Sequence, residues 1–369
     1  MTEAASPDQR FAFIDYLKVV AVISVVIAHE FGAERDNFFS KGFFSTEFFQ
    51  PLRIFLTTGG GGVSLFFIIS GYLIANAASR ETPVQFFVRR VFRIYPLYLF
   101  TVLIFIITGR TNLGLAQLFS AGSLLGDFTG TQLVIGGVDW TLRLEVVFYA
   151  FVFFWLLSVQ HKHVNQKSQT MGLTVVLFAL IALPKYPSGW TSGYPAIFFP
   201  MFIPGILISI QERQKFPNLK SLKLKCIVLF GIISSLIVSI INMHRYRPDL
   251  QQSSFSTYNT SALLIFVIAY LMRAFLRENR LIKWLALLTY PIYLFHIWLL
   301  DDIEVFLVRL FSTSRLEVLL IPFNKSFLDV TLVKAFSTLV LLAICWIASL
   351  IIERPSIRFS RNFPNRKKL

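Results

Sequence analysis

Apolar residues in this chain come in unbroken runs, without the alternation of a half-buried strand or the narrow stripe of a surface helix. Ten runs, at 12–30, 56–78, 94–109, 141–159, 170–184, 195–210, 226–242, 259–276, 284–300 and 331–352, are long enough to cross a hydrocarbon core of about 30 Å. Each predicts a helix, because a lipid-exposed strand would leave backbone groups unpaired and the polar alternation of a barrel is absent. The expected architecture is an all-α, polytopic transmembrane bundle of about ten spans. It fills residues 1–369 as a single integral-membrane domain, with a basic tail from about 353. The polar segments 31–55, 110–140 and 301–330 read as loops that would cap a cavity or grip a polymer.

Composition supports this reading: 55% of residues are hydrophobic, 16% aromatic and only 15% charged. The Lys and Arg residues outside the spans fall roughly two to one on the side that carries both termini, which predicts cytoplasmic termini. The net charge of +15 is mostly this asymmetry, so no nucleic-acid partner is expected. Membrane lipids are the expected surroundings. The first span is not a cleavable leader, because Asp15 and Lys18 interrupt its start. Cys226 and Cys345 fall within apolar spans and are expected to be small buried hydrophobes, not a disulfide. The remaining histidines, His161, His163 and His244, have no Cys or carboxylate spacing that suggests a metal, so no metal site is predicted.

Charged side chains inside a span are costly, so each asks for a partner or a task. Lys18 and His29 lie eleven residues apart on one face of the first helix, separated by a rise of about 16 Å, and Asp15 is placed to pair with Lys18. The fourth span opens with Asp139 or Thr141 as a plausible N-cap, which sets Glu145 about one turn inside the surface, at the depth expected for His29. A carboxylate there would fix the tautomer of the imidazole and raise its basicity, as for a general base. Arg90 and Arg93 are one turn apart and can face one anion; snorkelling or topology marking also explains them. Tyr95-Pro96 is read as the start of the third span. The run Gly59 to Gly62 lacks a Walker lysine and is read as a flexible lead into the second span. Pro291 and His296 suggest a kinked ninth span with a polar residue facing a cavity; an ordinary structural histidine explains His296 as well.

Six short patterns occur in order: Asp15-x-x-Lys18 followed by His29; Gly62-Val-x-x-Phe-Phe-x-x-Ser-Gly-Tyr72; Arg90-x-x-Arg-Ile-x-Pro96; Trp140-Thr-Leu-x-x-Glu-x-x-Phe-Tyr149; Tyr290-Pro-x-Tyr-x-x-His296; and Glu353-Arg-Pro355. Together they resemble the membrane acyltransferase-3 family, in the stand-alone form without an appended SGNH domain. Lys18 departs from the arginine usual in that family, keeping the charge but losing bidentate geometry. The resemblance implies a multi-pass enzyme of the bacterial cytoplasmic (inner) membrane. It would transfer an acyl group, most often acetyl, from cytoplasmic acyl-CoA to a hydroxyl of an extracytoplasmic or lipid-linked glycan. In that scheme Arg90, Arg93 and Lys18 would hold the donor. His29 would be the general base or a covalent acyl carrier, oriented by Glu145. Trp140, Tyr149, Ser70, Tyr72 and His296 would shape the acceptor cavity. A glycan or lipid transporter is the rival reading, since buried charges and kinked helices also describe carriers.

Overall fold

The computed structural model describes residues 9–30, 46–160, 194–213, 222–246, 252–313 and 327–362. Among these residues the chain is helical apart from short connections. The helices are α1 (Gln9–Glu30), α2 (Gln50–Thr57), α3 (Gly60–Ala78), α4 (Pro83–Ile107), α5 (Leu115–Ser123), α6 (Gly126–Thr129) and α7 (Asp139–Gln160). They continue as α8 (Tyr194–Phe198), α9 (Phe202–Arg213), α10 (Leu222–Tyr246), α11 (Gln252–Leu271), α12 (Arg280–Thr313), α13 (Phe327–Ala348) and α14 (Arg354–Arg361). A π-helical turn, Ser349–Glu353, joins the last two.

The protein is an all-α polytopic membrane protein. Seven helices among the described residues are long and apolar enough to cross a membrane, and the helices at Ala196–Glu212 and Thr257–Leu271 are apolar but shorter. The run 170–184 lies outside the described residues. Large apolar side chains such as Leu99, Leu103, Ile106 and Phe230 are exposed on the flank, as lipid contact requires.

Without a hydrophobic force between helices in lipid, close backbone approach and interhelical hydrogen bonds hold such a bundle. Glycines provide the approach. A Cβ on Gly62 would stand 2.4 Å from the Ala21 carbonyl oxygen of α1, one on Gly71 2.1 Å from the Phe202 oxygen, and one on Gly205 1.9 Å from the Ile68 oxygen. Ser24 donates to the Phe55 carbonyl at 2.6 Å. Ser64 bonds Asn259, which donates to Ser239 at 3.0 Å, joining α3, α11 and α10. Gly205→Ala is expected to cost about 1–3 kcal/mol through overpacking and to lower the melting midpoint of the solubilised protein. An unchanged midpoint would mean that α3 and α9 do not cross so closely.

Two expectations about helix ends are corrected. The third span does not start at Tyr95-Pro96: α4 begins at Pro83, where Thr82 and Gln85 form a reciprocal capping box at 3.1 and 3.3 Å, and Pro96 lies inside it. Asp139 does not cap its own helix, because its carboxylate accepts from the Val134 and Ile135 amides at 3.1 and 3.3 Å. Beyond Glu353 the basic segment enters helix α14, whose Phe359 packs on Phe92 of α4 at 5.0 Å. Gly59 takes a φ of +68° in the turn before α3, a conformation that favours glycine, so part of the glycine run is a defined turn.

The segment between α4 and α7 was expected to be a surface loop; it folds back into the bundle. Tyr98 and Tyr95 of α4 donate to the carbonyls of Ala121 and Ser123 at 2.9 and 2.8 Å. Tyr95 is twelve residues, or about 18 Å, from the start of α4, so the segment reaches mid-helix. Its polar backbone tolerates that depth because protein groups satisfy it. Arg143 (3% exposed) donates to the Thr131 and Gln132 carbonyls at 3.0 and 2.8 Å. The same guanidinium pairs with Asp127 at 2.9 Å and with fully buried Asp139 at 3.6 Å. Consequently α7 begins well below that end of the bundle.

Candidate active site

The bundle encloses a cavity of about 250 Å³ between α1, α3, α4, α7 and α12. Lys18, Arg90 and Arg93 line it together with Glu145, Ser70 and Tyr149, and Tyr290, Tyr293 and Thr141 lie on the same wall. The rest is apolar, with Phe66, Phe67 and Leu73 prominent. Six of the ten residues singled out from sequence thus meet in one space.

The cations enter it from α1 and from the first turns of α4, and each sits near a carboxylate. Lys18 pairs with Asp15 at 3.5 Å. Glu81 takes Arg89 at 2.7 Å and Arg90 at 3.8 Å. Arg90 also lies over the rings of Phe86 and Tyr149, at 5.2 and 5.6 Å from their centroids. Arg93 stands in the field of Glu353, which is 5% exposed, and of Glu145. The π turn aims Glu353 inward, with Ser349 donating to it at 3.2 Å. Such a cluster suits a phosphorylated ligand, because guanidinium groups match phosphate in pairs and an apolar surround strengthens each contact.

Glu145 and His29 are not neighbours of the kind the sequence suggested. Glu145 accepts from Ser70 at 3.3 Å and from Tyr149, and acts electrostatically on Tyr290 of α12. His29 meets α12 at His296, with ring centroids 5.1 Å apart. Tyr290 is six residues, or about 9 Å along the axis, from His296, and Glu145 acts on both it and Tyr293, which puts Glu145 on the cavity side of the histidine level. The sunken start of α7 accounts for the difference. Between the two levels sits Tyr293, which bonds Thr141 at 2.7 Å, packs on Phe66 at 6.1 Å and stacks beside His296 at 5.8 Å. It is the last cavity residue on α12 before the histidines, one turn and about 4.5 Å away.

The His29 ring is exposed and its Nε2 lies 3.8 Å from where a Cβ on Gly59 would be. His296 is buried, with Nδ1 2.7 Å from the Tyr293 carbonyl oxygen. Beyond the pair, Lys334 donates to the Glu30 carbonyl and Glu30 is hydrogen bonded to Glu304.

Besides the two histidines, Tyr72 and Trp140 lie away from the cavity lining. Tyr72 is buried against Phe13 at 5.5 Å with its hydroxyl on Glu212, and Trp140 packs on Phe67 and Phe198 at 6.3 and 5.1 Å. Sequence reasoning missed Glu81, Asp127 and any role for Glu353; the acid nine residues before Arg90 was the one available signal. Cys345 is buried and free, whereas the Cys226 side chain, His161 and His163 lie outside the described residues. Among the described residues no group of three His, Cys, Asp or Glu side chains is placed to hold a metal ion.

A family model described as an acyltransferase domain matches residues 11–350. No curated protein and no solved structure matches the chain.

Proposed function

The chain belongs to the acyltransferase-3 family, and from that premise we propose that it moves an acyl group, acetyl in the simplest case, from cytoplasmic acyl-CoA to a hydroxyl of an extracytoplasmic or lipid-linked glycan. One observation carries this reading: three cations line a cavity whose far wall ends one helical turn from a pair of imidazoles. The apolar cavity suits the slender thioester arm of the donor, with the phosphates held by Lys18, Arg90 and Arg93. Ten spans with cytoplasmic termini, in a bacterial inner membrane, would set those cations on the side where acyl-CoA is made and His29 on the other.

A hydroxyl is a poor nucleophile while protonated, and an imidazole is the ordinary side chain for removing that proton near neutral pH. His29 takes this role. The hydroxyl oxygen attacks the thioester carbonyl, the C–O bond forms, the C–S bond breaks, and the proton leaves on the coenzyme A thiol. Glu145 acts at a different level from the one the sequence suggested: with Ser70 and Tyr149 it lines the path of the thioester beside Arg93.

Surface saccharide from cells with and without this protein is expected to differ by O-acyl resonances in its NMR spectrum, which report acceptor and hydroxyl together. Identical O-acyl resonances would remove the glycan reading. A carrier would change the amount of saccharide outside the cell and leave its chemistry alone.

A further inference from the structure

We infer that His296 is a positioning residue that holds His29 in the tautomer catalysis needs. This rests on the acyl-transfer reading above, in which His29 accepts the hydroxyl proton.

The tautomer of His296 follows from its partner. Its Nδ1 lies 2.7 Å from the Tyr293 carbonyl oxygen, and a carbonyl only accepts, so Nδ1 carries the hydrogen and Nε2 presents a lone pair. That Nε2 is buried without a hydrogen-bond partner, on a side chain 1% exposed. A buried acceptor left unpaired costs free energy and asks for an explanation. The ring of His29 lies 5.1 Å away between centroids and is inclined at 56°. His29 is exposed on the last turn of α1, so it has room to turn an N–H toward Nε2. With one nitrogen donating to His296, the other must present its lone pair, which is the state required to take a proton. The imidazolium formed during attack keeps the same hydrogen bond until its proton passes to the departing thiolate.

The usual partner for such a base is a carboxylate, and the two candidates each have another partner. Glu145 is bound to Ser70 and Tyr149. Glu30 points about 100° away from His29 on α1 and is bonded to Glu304. The Nε2 of His296 is a buried acceptor without a partner on the ring that lies beside His29.

Two substitutions separate this role from a structural one. Asparagine at 296 keeps an amide donor near the position of Nδ1, for the Tyr293 carbonyl, and removes the acceptor at Nε2. Glutamine places a carbonyl oxygen near Nε2. Membrane vesicles holding the cells' own lipid-linked saccharide, supplied with radiolabelled acetyl-CoA, report maximal rate and the donor KM. His296→Asn is expected to lower the maximal rate about 100-fold with KM for acetyl-CoA unchanged, and His296→Gln to stay within about tenfold of the unaltered protein. A wild-type rate for His296→Asn overturns the proposal, as does an equal loss in both variants, whether of rate or of protein in the membrane. If His29→Ala is inactive in those vesicles while His296→Asn is not, only the role of His296 fails. If the unaltered protein transfers no label, the acyl-transfer reading fails and this inference with it.

Discussion

Cells whose only copy carries His29→Ala are expected to add no detectable O-acyl groups to their surface saccharide, a loss of about 100-fold or more. The protein itself should persist in the membrane. His29 is exposed at the end of α1, so its removal empties no packed core, and the close contacts of α1 with α3 lie one to two turns away at Ala21 and Ser24. The substitution therefore leaves the close contacts of α1 with α3 in place. Among the described residues the neighbouring groups are poor substitutes: the Nε2 of His296 is buried, and Glu30 is bonded to Glu304. The decisive comparison is O-acyl content by NMR against the amount of protein in the membrane. Undiminished acylation with normal protein levels would sink His29 as the reacting base or carrier.

The bundle was legible because apolar runs of spanning length have few alternatives in lipid: among the described residues seven of the ten expected spans fall on helices long and apolar enough to cross a membrane, and two on shorter apolar helices. The cation cluster was legible for a local reason: Arg90 and Arg93 are one turn apart, and that spacing survives whatever the helix packs against. Depth was a different matter. Placing Glu145 required knowing where α7 begins, and the sequence pattern assumes that a span starts at the membrane surface. Here Arg143, Asp127 and Asp139 tie residues 115–138 into the bundle, and neutralised charges of this kind look the same in sequence as a solvated loop.

The histidine pair shows the same limit from the other side. His29 and His296 were each visible as costly residues in apolar runs, but nothing in their local surroundings joins positions 267 residues apart. Their meeting depends on α1 packing along α12, a tertiary fact set by many apolar contacts. Glu353 was visible only as part of a short pattern. Its position under Arg93 depends on a π turn, and no simple residue preference announces one.

Arg93→Ala is expected to weaken acyl-CoA binding about ten- to a hundredfold, the equivalent of about 1.5–3 kcal/mol for a charged hydrogen bond lost in a desolvated site. Arg90→Ala should cost less, because the two arginines are compensated differently. Arg90 shares Glu81 with Arg89, and Arg89 is the closer partner at 2.7 Å against 3.8 Å. Deleting Arg90 therefore leaves Glu81 still paired, and the site loses one cation without exposing a bare carboxylate. Arg93 stands in the field of buried Glu353 and of Glu145, which lines the cavity with it, so its removal subtracts a cation and leaves two acids less compensated beside the incoming phosphates. Arg93→Lys keeps the charge but not the planar fork, and should recover part of the affinity. Calorimetric titration of the solubilised variants with acetyl-CoA checks this order, alongside their melting midpoints, because Glu353 is buried and also loses its strongest counter-charge. If all three variants bind acetyl-CoA as the unaltered protein does, the arginines only mark topology, and the donor enters elsewhere.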